Sequence, residues 1–136
     1  MLETLAKIYD LGGSLTGATI ARFEGDLRFV TGVELRFGSL HTTFRANKDD
    51  DTLVATVGPL VATVDETLVD VSASLPWSAC IGLGARWLWQ LTNQQGYPDG
   101  VRFEFGEPDN PFEVVVELVV LACAIEIFVS QMCDAT

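Results

Sequence analysis

Apolar side chains recur at every second position along most of this chain, which is the period of an antiparallel sheet with one dry and one wet face. From Leu27 to Phe37 the odd positions are Leu27, Phe29, Thr31, Val33, Leu35 and Phe37, and Arg28, Glu34 and Arg36 fall between them. Gly38-Ser39 suits a two-residue hairpin turn, which sets Phe37 opposite Leu40, Leu35 opposite Thr42 and Val33 opposite Phe44. The loop Lys48-Asp49-Asp50-Asp51 then sets Ala46 opposite Leu53 and Phe44 opposite Ala55. Upstream, a two-residue turn at Gly25-Asp26 would place Phe29 against Arg22. A three-residue loop, Glu24 to Asp26, is expected instead, with Phe23 opposite Leu27 and Ala21 opposite Phe29. The first half therefore reads as a four-stranded meander.

The second half has the same rhythm. Trp87, Trp89 and Leu91 alternate, as do Val101, Phe103 and Phe105, so a loop from Asn93 to Asp99 sets Leu91 opposite Val101, Trp89 opposite Phe103 and Trp87 opposite Phe105. That register puts both tryptophans in the core. Pro108-Asp109-Asn110-Pro111 returns the chain, with Phe105 opposite Phe112 and Phe103 opposite Val114. A last strand, Ala124 to Val129, pairs Val120 with Ile125 and Leu118 with Ile127. Ala122-Cys123 is a poor turn sequence, so one long bent strand is the alternative there.

Leu2, Leu5, Ile8 and Tyr9 stand at helical spacing before Gly12-Gly13, which predicts a short amphipathic N-terminal helix. Residues 58–83 join the halves. Within them Asp65–Val71 reads as a short helix or an edge strand, and Pro76-Trp77 begins a turn. The expected fold is mainly β (α+β): two antiparallel four-stranded meanders forming a barrel-like or sandwich domain over residues 1–136. Gly32-Val-Glu-Leu-Arg-Phe-Gly38 and Gly100-Val-Arg-Phe-Glu-Phe-Gly106 are similar, which suggests an internal duplication of about residues 18–58 and 84–130.

Composition changes this picture in three ways. With 136 residues, 49% hydrophobic and 20% charged, the chain is a folded single domain by size. A mean hydropathy of +0.30 is high for so small a domain, and a homodimer is expected to cover the surplus apolar surface. The net charge of −11 disfavours nucleic acid and anionic membranes and favours a basic protein partner. The N-terminus lacks the pattern of a signal peptide, and Glu113, Glu117 and Glu126 interrupt the most apolar window, so a cytoplasmic protein is expected.

Candidate chemistry is sparse. Cys80, Cys123 and Cys133 form no C-x-x-C pair, and His41 is the only histidine, so neither a zinc site nor a histidine-rich metal centre is predicted. Asn47-Lys48-Asp49-Asp50-Asp51 lacks the ligand spacing of a calcium loop. No Walker loop or nucleophile elbow is present, and no cofactor is expected. Glu104, Glu113, Glu117 and Glu126 all fall on the outward face of the second meander, with Val115, Val119 and Phe128 among them. That mixture suits a docking surface better than a catalytic cleft. Tyr97, Asn93 and Asp99 add a polar loop at its rim.

The run Trp87-Leu-Trp-Gln-Leu-Thr-Asn-Gln-Gln-Gly-Tyr-Pro-Asp-Gly100, followed by an apolar strand pair, resembles an uncharacterised family of small bacterial proteins. Its small members look like some immunity proteins of contact-dependent toxin systems. The resemblance implies no catalytic residues. The sequence therefore supports a non-enzymatic interaction module, such as an immunity-type inhibitor or regulator of a basic partner. The alternative is a small-ligand protein or enzyme with a pocket between the meanders, using Trp77, Cys80, His41 or Tyr97.

Overall fold

The computed structural model describes residues 1–132; Cys133 lies outside them. Helix α1 (Leu2–Lys7) runs into a π-helical turn (Ile8–Gly12) and stops at Gly13, whose φ of 65° suits a residue without a Cβ. Leu5 and Ile8 are buried as the spacing predicts, whereas Leu2 and Tyr9 are exposed. The wider π turn shifts the residues after Ile8 off the packed stripe.

The first sheet contains β1 (Gly17–Phe23), β2 (Asp26–Phe37), β3 (Leu40–Asn47), β4 (Thr52–Val57) and β5 (Glu66–Asp70), in the order β4-β3-β2-β1-β5. The second contains β6 (Gly84–Thr92), β7 (Pro98–Glu107), β8 (Asn110–Leu121) and β9 (Ala124–Met132) in sequence order. All pairings are antiparallel, and the two sheets pack as a sandwich. The expected meanders are present, and the segment 66–70 adds a fifth strand beside β1. A short helix, α2 (Trp77–Cys80), buries Trp77 and Cys80 in the same core.

Inward-facing aromatics join the sheets. The Phe37 and Phe105 rings stack with centroids 6.4 Å apart, and Phe44 meets Phe103 edge-on at 5.5 Å. Val33, Leu35, Val101, Val116 and Leu118 fill the space around them.

The pairings β2–β3, β3–β4 and β8–β9 match the expected registers residue for residue. Ala122 and Cys123 do form a two-residue turn, at φ 51° and 71°, so β8 and β9 are separate strands. The β7–β8 pairing is offset by two residues, with Phe105 opposite Val114, which keeps Val114 on the inner face and Glu113 on the outer one as expected; the Phe112 side chain lies outside the described ones.

Two registers differ in a way that turns faces over. In β1–β2, Phe23 pairs with Asp26, Ala21 pairs with Gly32, and Arg22 pairs with Val30. Thr31 is skipped, and a second shift leaves Leu27, Arg28 and Phe29 without registered partners on β1, so the regular alternation ends there. Leu27 and Phe29, expected on the dry face, are instead 55% and 46% exposed. In β6–β7 the expected pairs are slipped by one residue. Leu88 stands opposite Phe103 and Gln90 opposite Val101, while Trp87 and Trp89 stand opposite Glu104 and Arg102. A loop shorter than expected, closed by Thr92 opposite Pro98 with Asp99 left as a bulge, produces the slip.

Candidate functional site

Both outer sheet faces carry carboxylates withdrawn from solvent, Glu34 on the first and Glu104 on the second. On the first sheet, the link after β4 lays buried Leu60 over Gly32, where an added Cβ would lie 2.9 Å from Leu60 Cδ1. Beside it, buried Glu34 accepts from Arg36 Nη1 at 2.7 Å and from the Leu60 N–H at 3.3 Å, and His41 Nδ1 lies 2.9 Å away. Burial pushes the Glu34 carboxyl up, but His41, Arg36 and the Leu60 amide together hold it below its ordinary range. His41 stands opposite Arg36 on this outer face, as the hairpin register predicts. Its neighbours make it part of an ion-pair network.

The second sheet's outer face carries Trp87 and Trp89 on β6, Arg102 and Glu104 on β7, Glu113, Val115, Glu117 and Val119 on β8, and Glu126 and Phe128 on β9. Trp87 is 53% exposed, Trp89 44% and Phe128 49%. The two indoles stack at 6.5 Å, and the Arg102 guanidinium lies 5.3 Å from the Trp89 ring centre, a cation–π distance. Arg86 donates to Glu113 at 2.8 Å. Glu104 is almost buried, and its desolvation pushes the carboxyl above the usual range. Arg102 opposes that rise and neighbouring Glu113 adds to it. Arg102 Nε is itself buried without a hydrogen-bond partner, 3.6 Å from Glu104 Oε2. The face therefore presents flat aromatic surface at one edge and Phe128 at the other, with half-buried Glu117 between them, while Glu104 and Val115 are buried.

A family model, "Family of unknown function (DUF6334)", matches residues 5–133. This chain belongs to the DUF6334 family. No curated protein and no solved structure matches it.

In this DUF6334 protein the four predicted glutamates, Glu104, Glu113, Glu117 and Glu126, do share one outer face. Asn93, Tyr97 and Asp99 lie at the β6–β7 end of the same sheet. There the Asn93 carboxamide oxygen accepts from the Gln95 and Tyr97 amides, so it holds the turn. Tyr97 is exposed. Trp87 and Trp89 are the surface residues that the alternation misassigned to the core. The polar positions Arg102 and Glu104, two residues apart on the return strand, were the available signal for their side of the sheet.

The residues suggested for an enzyme or ligand pocket do not converge. Trp77 and Cys80 are core residues, and burial raises the Cys80 thiol to about 12, which leaves it protonated and unreactive at neutral pH. His41 is on the opposite sheet's outer face, and Tyr97 is in a hairpin loop. Among the described residues, no group of three His, Cys, Asp or Glu side chains is placed to hold a metal ion. Two of the three aspartates after Lys48 serve the loop. The Asp50 carboxylate accepts from the Thr52 amide and hydroxyl, and the Asp51 carboxylate accepts from the Cys123 N–H at 3.0 Å. No helix among these residues is long and apolar enough to cross a membrane.

Proposed function

We propose that this protein is a non-enzymatic, acidic protein-interaction module whose second-sheet outer face docks a basic partner, in the manner of an immunity-type inhibitor or regulator. The observation that carries this reading is the pair of stacked, half-exposed tryptophans on the outer face of the second sheet. Burying roughly 100 Å² of each indole would contribute on the order of 5 kcal/mol, enough to anchor a complex. The carboxylates Glu117 and Glu126 supply charge complementarity, and the net charge of −11 steers a cationic surface toward the molecule. A bacterial setting belongs to this reading and rests on the resemblance of the Trp87–Gly100 run; a cytoplasmic one belongs to it too and rests on the glutamates that interrupt the most apolar window.

Homodimerisation is the competing use of the same face, since a two-fold pairing could set the arginines of one copy against the glutamates of the other. Affinity capture with the wild type and with a Trp87→Ala/Trp89→Ala variant, at low and high salt, tests the proposal alongside solution mass. A basic protein held by the wild type at low salt and lost from the variant supports it. A stable dimer that dissociates in the variant, with no other protein retained, assigns the face to self-association and removes the heterologous partner.

A further inference from the structure

The bulge at Thr31 and the turn at Ala122-Cys123 together shape a second feature, which shares no residue with the docking face. A cleft of about 640 Å³ is lined by Phe23, Phe29 and Val54, by charged side chains of the first sheet and its loops, and by Ala122–Ala124 from the second sheet. Its size is that of a small-molecule site, for which about 300–1,000 Å³ is usual. Phe29 lines it because that side chain stands away from the core where the ladder is interrupted. Phe23 lies flat against the hairpin turn, where a Cβ on Gly25 would come within 2.4 Å of the Phe23 ring. The apolar wall is thus built into the backbone of β1 and β2.

The charges of the lining select the ligand's sign. Arg45 is already engaged: its terminal nitrogens donate to the two Glu66 oxygens at 2.9 and 3.0 Å, and one donates also to the Val61 carbonyl. With that pair cancelling, the remaining charged residues of the lining are Asp49, Asp65, which accepts from the Thr63 hydroxyl at 2.7 Å, and a single cation, Lys48. The whole molecule's negative field acts in the same sense. Aromatic faces beside carboxylates are the combination that holds an ammonium or guanidinium group, through cation–π attraction and direct charge pairing. An anion would meet two carboxylates and one lysine, with the arginine unavailable.

We infer that this cleft binds an organic cation, its apolar body on Phe23, Phe29 and Val54 and its charge toward Asp49 and Asp65. The cation can be a free amine or a basic side chain of a bound protein; the recognition chemistry is shared.

Titration of the ¹⁵N-labelled protein with benzyltrimethylammonium, and separately with phenylacetate, tests the inference by NMR. Saturable shifts confined to the amides around Asn47–Asp49 and Ala122–Ala124, given by the cation and not by the anion, are expected. Phe29→Ser and Asp65→Asn should each weaken the cation about tenfold, as loss of a partly desolvated cation–π or charge contact would. Both positions are solvent-facing, and unchanged spectra elsewhere would verify that the variants fold. Equal shifts with phenylacetate, no saturable shift with either probe, or variants that bind as tightly as wild type would each overturn it. A second arm compares butylamine with a capped lysine tripeptide. Tighter binding of the peptide identifies the cation as a partner protein's side chain, and equal binding identifies a free amine.

Discussion

Glu66 and Glu104 are both carboxylates withdrawn from solvent on outer sheet faces, yet their surroundings bias them in opposite directions. Burial alone would raise Glu66, but Arg45, the Thr31 hydroxyl and the Thr63 amide bring it down to about 2. A carboxylate with a depressed folded pKa stabilises the protein above its unfolded value and loses that contribution as the pH falls toward the folded one. Glu66→Gln is therefore expected to cost on the order of 2–3 kcal/mol at neutral pH and to flatten the loss of stability between about pH 5 and pH 2. Urea melts across that range check both parts, and a variant with wild-type acid sensitivity would sink the assignment. Glu104 has the opposite sign. Its raised pKa means that ionisation at neutral pH opposes folding, so Glu104→Gln should raise the Tm at pH 7, with the advantage shrinking as the pH is lowered through that raised pKa. A Tm advantage that persists unchanged in acid would point to packing instead of charge.

Turns and bulges decide which side of each strand faces water, and single positions in them should have measurable weight. Cys123 holds φ 71° in the β8–β9 turn, where a residue other than glycine costs about 1–2 kcal/mol. Cys123→Gly keeps the amide that donates to Asp51 and relieves the turn, so a stabilisation of about 1 kcal/mol is expected in urea denaturation. Gly100→Ala should do the reverse. Its Cβ would sit 2.7 Å from the Leu118 carbonyl oxygen, backbone that cannot move without opening the β7–β8 ladder, and a loss of about 2–3 kcal/mol is expected in the same measurement. These positions also show why the fold was more legible in the sequence than the site. Where a hairpin turn had no extra residue, as at Gly38-Ser39, alternation alone returned the pairing Val33–Phe44. Where the ladder was interrupted, at Thr31 and Leu27–Phe29 or at Asp99, the same alternation assigned Phe29, Trp87 and Trp89 to the wrong side. Period two does not register an inserted residue, and Trp87-Leu-Trp-Gln-Leu91 offers apolar side chains to both faces. The glutamates escaped this error because the β8–β9 turn has no bulge, and the two-residue offset between β7 and β8 preserves parity.

At the scale of the whole molecule, 19 acidic side chains against 8 basic ones make charge a cost to folding and an aid to encounter. Self-repulsion is strongest where the Debye length is long, about 30 Å at 0.01 M salt against about 8 Å at 0.15 M, so the Tm should rise over that interval. The docking face separates the two effects. Glu126 is exposed and stands opposite Val119, whereas Glu117 stands opposite Arg102, so a lysine is tolerable at the first position and a glutamine at the second. Glu126→Lys adds two units of charge and Glu117→Gln adds one, which takes the net charge from −11 to −8. If these glutamates serve recognition, the double variant will fold at least as stably as wild type at low salt, yet lose the basic partner that the wild type captures. Thermal melts at both salt concentrations, run beside the capture assay, measure the two properties on one sample. Loss of stability together with loss of binding would make the glutamates supports of the sheet, and retained binding would shift the whole interaction onto the tryptophans. The expected split, stability kept and partner lost, is what a surface selected for encounter produces, because its charges oppose the fold that carries them.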